Sequence, residues 1–194
     1  KLVEIFKEAG LPDGVLNLVQ GGREAVEALC DHEGIAALAF VGSTRVAKLV
    51  YGRAAQTGKK VLCLGGAKNH LIVVPDADVD VTTDNVLASF TGCAGQRCMA
   101  ASVLVAVGDV DHIIESVATK AAAMRTGEDM GPITNSSSVD RIHGYIDQAE
   151  SLGAKVLVDG RGEQGTPGGY WVGPTLLDNV TVDIPAGCEE IFGP

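Results

Sequence analysis

The 194 residues predict an α/β fold, a mostly parallel sheet under helical covers. Strand-length runs rich in Val, Leu and Ala, such as Ile35–Val41, Lys60–Leu64 and Val103–Val107, alternate with stretches whose apolar residues recur at helical spacing. Glycine, proline and aspartate punctuate the handovers between them. Hydrophobic residues make up 46% of the chain and aromatic residues only 4%, so the core is aliphatic and alanine-rich.

Taken in order, Leu2, Val3, Ile5, Phe6 and Ala9 form an apolar helical stripe that Gly10 stops. Leu11–Gly14 is a turn, and Val15–Val19 is predicted as a short buried strand. Gly21–Gly22 opens a helix that runs to about Cys30, and Ile35–Val41 is the next strand. Gly42–Ser43–Thr44 hands that strand to a helix over Arg45–Ala54. A sheet presents ligands to loops and helix N-termini at such a joint. The amides and the hydroxyls of Ser43 and Thr44 suit a phosphate there, and they equally suit a helix cap. The chain has neither a GxGxxG nor a Walker A motif.

Lys60–Leu64 is a strand, Gly65–His70 a tight crossing near which a domain boundary is expected, and Leu71–Val74 an extended run. Pro75–Asp78 turns into a helix over Val79–Phe90, with Asp78 as its cap. Asp76, Asp78 and Asp80 lack the glycine and terminal glutamate of a calcium loop and are expected to be a solvated helix start. Val103–Val107 is followed by a surface helix over Val110–Met124 and a loop from Thr126 to Asn135. A second amphipathic helix covers Ser136–Ser151, with Val139, Ile142 and Ile146 on its apolar side. Lys155–Val158 is a strand, Gly160–Gly169 a glycine-rich surface turn and Tyr170–Val172 a short extended piece in which Trp171 packs locally. Gly173–Leu177 leads into a strand, and Glu189 and Glu190 precede Ile191–Pro194 at the end.

The chemistry converges on Phe90–Cys98, where a helix runs into a loop of small residues. Its glycines let a ligand approach the backbone. Successive N–H groups near Cys98 suit an oxyanion if this thiol attacks a carbonyl. Arg97 beside it favours a thiolate or holds an anionic substrate group, bidentately where that group is a carboxylate. The bland alternatives are a small buried Cys98 and an Arg97 paired with an acid inside the protein. No histidine neighbours Cys98 in sequence, and His70, His112 and His143 are expected to be surface or structural. The five cysteines form no CxxC pair, which argues against zinc and disulfides and for a reducing compartment. A net charge of −10 without a basic stripe argues against nucleic acid. No apolar run is long enough to span a bilayer.

Together these stretches resemble the aldehyde dehydrogenase superfamily over essentially the whole chain. The resemblance is to its CoA-acylating branch, which acts on methylmalonate semialdehyde. Its residues are Glu8–Pro12 with Gly14–Asn17, Phe40–Thr44, Gly65–His70, Gly95–Met99 and Glu190–Pro194. The resemblance implies that residues 1–66 are the later half of an NAD-binding, Rossmann-like domain. Residues 67–194 are then most of the α/β catalytic domain, truncated at its C-terminus, so the chain is expected to be an internal excerpt of a longer enzyme. It implies Cys98 as the nucleophile that carries a thioester, and Gly42 and Ser43 beside the cofactor pyrophosphate. Glu190 would lie on the nicotinamide ribose and Phe192 beside the cofactor. It further implies NAD as cofactor, coenzyme A as co-substrate and a homo-dimer or homo-tetramer in the full-length enzyme. The setting would be cytoplasm in a bacterium or the mitochondrial matrix in a eukaryote.

Two positions depart from the common pattern. Hydrolytic members carry a water-activating glutamate where this chain has Leu64, or Cys63 if the glycines are aligned. Without that base a thiol becomes the acyl acceptor, and the expected product is an acyl-CoA of a small carboxylated semialdehyde, methylmalonate or malonate semialdehyde. Ala47 stands where the Gly–Ser–Thr motif usually ends in glycine, and its methyl is expected to restrict approach to the helix start. Alternatives are a hydrolytic NAD(P)-dependent aldehyde dehydrogenase, separated by CoA dependence, and an inactive fragment or noncatalytic scaffold.

Overall fold

The computed structural model describes residues 1–162 and 165–194. Glu163 and Gln164, within the expected Gly160–Gly169 turn, lie outside the described residues. The chain divides into two compact units, Lys1–Gly65 and Gly66–Pro194.

The first unit contains α1 (Leu2–Glu8), α2 (Arg23–Asp31), β1 (Ala37–Val41), α3 (Thr44–Gln56) and β2 (Lys60–Leu64). β1 and β2 pair in parallel, Ala37 opposite Lys60 through Val41 opposite Leu64, with α3 as the crossover. One face of this βαβ unit is closed by Cys30, Val50 and Ala54, against which Val26, Leu38, Phe40 and Val61 pack. Arg53 bridges Glu27 and Asp31 of α2 and so ties α2 to α3. The apolar stripe of α1 is exposed, Leu2, Ile5 and Phe6 included. The expected strand Val15–Val19 does not form, and its side chains are exposed. A strand needs a neighbour's N–H and C=O groups, and among the described residues no strand pairs with this run.

The second unit contains β3 (Asn69–Val73), α4 (Val79–Thr91), β4 (Ala101–Ala106), α5 (Asp111–Ala123), α6 (Ser136–Ser151), β5 (Lys155–Val158), β6 (Leu176–Asp178) and α7 (Pro185–Cys188). β3 and β4 pair in parallel with α4 as crossover, and β5 and β6 pair antiparallel. Asp78 caps α4 by accepting from the Val81 N–H at 2.9 Å. Val86, Leu87 and Phe90 of α4 pack with Val117 and Ala121 of α5 over Leu71 and Leu104 of the β3–β4 pair. Ile142 and Ile146 of α6 pack with Met130, Ile133, Val172 and Ala94, which belongs to the loop after α4. Among the described residues Tyr170–Val172 contributes one bridge, Tyr170 to Ile133. Trp171 stays local, its Nε1 donating to Thr166 O at 3.0 Å.

The α/β architecture with parallel pairing is as the sequence predicts. Its two parallel pairs carry their notable joints at opposite ends. Gly42–Ser43 follows the carboxyl end of β1, whereas the cysteine loop precedes the amino end of β4. Among the described residues no helix is long and apolar enough to cross a membrane.

Candidate active site

After Thr91 the chain leaves α4 through a tight turn over Gly92–Gly95 in which Cys93, Ala94 and Gly95 take φ of 52°, 53° and 68°. Only glycine adopts this region without cost, so Cys93 and Ala94 store strain of about 1 kcal/mol or more each. Burial offsets it, for Ala94 is fully enclosed in the α6 cluster. Gln96 fastens the turn on both sides. Its Nε2 donates to Cys93 O and Pro132 O, each at 3.1 Å, and its Oε1 accepts from the Thr134 N–H at 3.0 Å and hydroxyl at 2.5 Å.

Cys98 follows, exposed. Its carbonyl accepts from Asn69 Nδ2 at 2.8 Å, and the same amide reaches Ala100 O at 3.1 Å, so the first residue of β3 holds the segment leading into β4. Among the described residues the Cys98 N–H has no backbone acceptor. His70 lines the same cleft, its Nδ1 3.0 Å from Lys68 O.

Arg97 lies over Gly92, where a Cβ would fall 2.6 Å from its Nη2. That nitrogen donates to Ala88 O at 2.6 Å and Ser89 O at 2.8 Å, the carbonyls that end α4. A cation there also suits the helix C-terminus. Both guanidinium forks that grip a carboxylate include Nη2, so a bidentate grip is closed in this conformation and single bonds from Nε or Nη1 remain. Among the described residues no carboxylate pairs with Arg97.

The Glu189–Pro194 segment meets this loop through backbone. A Cβ on Gly95 would fall 2.0 Å from Gly193 O, and one on Gly66 would fall 2.6 Å from Glu190 Oε2. Side chains at Gly66 and Gly95 would therefore displace Glu190 and the chain that bears it. Phe192 takes a φ of 57° and is partly exposed. Cys98, Glu190 and Phe192 line one cleft of about 520 Å³, with Arg97, His70 and Phe90. Burial pushes the half-buried Lys68 ammonium below the usual lysine range, and the nearby Cys188 and Glu190 oppose that shift.

In the first unit Ser43 stands at the N-cap of α3 without a side-chain capping bond, and the first turn carries no acidic residue. Ala47 is buried, so its methyl packs inside the protein and does not cover the exposed helix end, unlike the sequence expectation. The hydroxyl and helix amides are donors of the kind a pyrophosphate takes, and the Glu190 carboxylate is an acceptor of the kind sugar hydroxyls take.

An aldehyde dehydrogenase family model matches residues 1–194. The chain belongs to the aldehyde dehydrogenase family. Malonate-semialdehyde dehydrogenase 1 of Geobacillus kaustophilus is 47% identical over 201 residues, covering 100% of this chain and 41% of the relative. The corresponding protein of Oceanobacillus iheyensis is 45% identical over 202 residues, covering 100% of the chain and 42% of the relative. Among solved structures, methylmalonate-semialdehyde dehydrogenase of Oceanimonas doudoroffii superposes with a TM-score of 0.92 at 42% identity, covering 98% of this chain and 41% of that one. A Sinorhizobium meliloti 1021 protein, crystallised with NAD and assigned as a methylmalonate-semialdehyde dehydrogenase, gives a TM-score of 0.92 at 43% identity, covering 100% and 41%. The chain thus spans 41–42% of the length of the curated relatives it matches.

Sequence reasoning missed the Gln96 fastening, the Asn69 bond to Cys98, the one-turn helix α7 and the Tyr145 contact to Glu189. The three contacts join residues far apart in the chain through polar side chains that have no periodic signature. The run Pro185–Cys188 did carry a signal for α7, proline in the first turn.

Proposed function

We propose that the enzyme of which these residues form part oxidises a small carboxylated semialdehyde, methylmalonate or malonate semialdehyde, to its acyl-CoA. The observation that carries the reading is the cleft shared by Cys98, Glu190 and Phe192. The relatives' printed activities support the substrate class. In this reading residues 1–66 belong to the cofactor domain and 67–194 to the catalytic domain.

The Cys98 thiolate adds to the aldehyde carbon, and the carbonyl electron pair becomes an oxyanion within reach of the loop N–H groups. NAD, when bound, supplies the hydride acceptor. Gly42 and Ser43 would hold its pyrophosphate, Glu190 its nicotinamide ribose, and Phe192 would pack beside it. Collapse of the oxyanion to C=O releases hydride from the same carbon and leaves a thioester on Sγ. A CoA thiolate then adds to the thioester carbonyl, and Sγ departs as the restored thiolate. Cys63 and Leu64 provide no carboxylate to activate water, which favours CoA as the acceptor. Arg97 would meet the substrate carboxylate by charge and single hydrogen bonds.

The test is steady-state NADH formation with and without CoA, in an enzyme of full family length carrying this sequence. Turnover that requires CoA and yields acyl-CoA supports the reading. Equal turnover to the free acid without CoA would replace it with a hydrolytic dehydrogenase.

A further inference from the structure

We propose that Tyr145 is a positioning residue for the Glu190 carboxylate, acting from α6 through its neighbour Glu189. The inference rests on the reading that Glu190 holds the nicotinamide ribose. The Tyr145 hydroxyl donates to Glu189 Oε2 at 2.5 Å, a short bond of the charge-assisted kind. Four residues earlier on the same helix face, Arg141 places Nε and Nη2 each 3.4 Å from Ile191 O. Between them Ile142 packs so closely under Gly193 that a Cβ there would fall 2.6 Å from its side chain.

Glu190 therefore stands on a short span of backbone whose flanks, Glu189 and Ile191, are both held by one turn of α6. Its carboxylate rests on Gly66, and Gly193 just beyond it rests on Gly95 of the cysteine loop. Phe192 holds a left-handed φ within this span, a conformation that persists only when its surroundings enforce it. Freeing Glu189 lets the span relax and moves the carboxylate off Gly66. α6 is a regular helix with a side-chain cap from Asn135, so it offers a fixed reference for the span.

The experiment measures NAD affinity by calorimetry in the full-length enzyme, for wild type, Tyr145→Phe, Glu190→Gln and the double variant, with ADP as a second ligand. Tyr145→Phe is expected to weaken NAD about three- to tenfold, the scale of one ordinary hydrogen bond because the lost bond acts on Glu190 only through its neighbour, and to leave ADP affinity unchanged. ADP lacks the nicotinamide ribose, so a general loss of structure would weaken both ligands. The double variant is expected to bind NAD as Glu190→Gln does, because the two changes act through one contact. NAD affinity unchanged in Tyr145→Phe, equal weakening of ADP, or additive losses in the double variant would overturn the proposal. If Glu190→Gln alone binds NAD normally, the ribose reading itself falls and the inference falls with it. Should Tyr145→Phe not fold, Glu189→Gln serves instead, with a smaller loss confined to NAD expected and an unchanged or ligand-independent effect contradicting.

Discussion

Gly95 and Gly193 touch backbone to backbone: a Cβ on Gly95 would fall 2.0 Å from the Gly193 carbonyl oxygen. The contact joins the cysteine loop to the Glu190 segment with no room for a methyl. Gly95→Ala also forces a non-glycine residue into a φ of 68°. We expect it to cost at least about 2 kcal/mol of stability and most of the activity. Thermal unfolding and NADH formation check this, and a stable, fully active Gly95→Ala enzyme would refute the contact's importance.

Gln96 makes four polar contacts, one to Cys93 O within the cysteine turn and three to residues 132–134. Gln96→Ala is expected to lower stability by about 1–2 kcal/mol, since the bonds are solvent-exposed. The thiol should also lose its fixed bearing. Alkylation of Cys98 by iodoacetamide, followed by mass spectrometry, should change rate in this variant while Cys188 alkylation does not.

The elements with a strong period were legible in the sequence. α6 and β5 match the expected Ser136–Ser151 and Lys155–Val158, and β2 matches Lys60–Leu64. Val15–Val19 carried the same apolar signal and formed no strand, because composition reports a strand's side chains and not its hydrogen-bonding partner. The Phe90–Cys98 loop was visible through its small residues. Its three left-handed residues were not, since Cys93 and Ala94 give no local reason to adopt that region and are held there by Ala94 burial and Gln96. The bidentate grip expected of Arg97 failed to account for the α4 carbonyls, which lie within reach only once the loop has folded back.

Arg97 both closes α4 and lines the cleft. Arg97→Ala is expected to raise KM for malonate semialdehyde more than for a neutral aldehyde of similar size. Parallel kinetics on the two substrates measure the difference. Equal losses would assign Arg97 to the helix end alone.

Arg161 bonds Asp147, Glu150 and Asp159 together. Its guanidinium holds the Asp159 carboxyl below the usual carboxylate range. A carboxyl with a lowered folded pKa stabilises the fold above its unfolded pKa of about 3.9, and the contribution is lost as pH falls through the folded value. Arg161→Ala is expected to cost about 1–2 kcal/mol near neutral pH, a network of partly exposed pairs being involved. Its acid unfolding midpoint should move to higher pH. Circular dichroism against pH reads both, and an unmoved midpoint would deny the network a role.

Single-turnover mixing of semialdehyde and NAD without CoA, in the full-length enzyme and its Cys98→Ala variant, tests the nucleophilic role proposed for Cys98 most directly. The wild type should give a burst of about one NADH per active site, with the acyl group recovered as a thioester on the Cys98 peptide. The variant should give neither. A burst of wild-type size in Cys98→Ala would contradict the account.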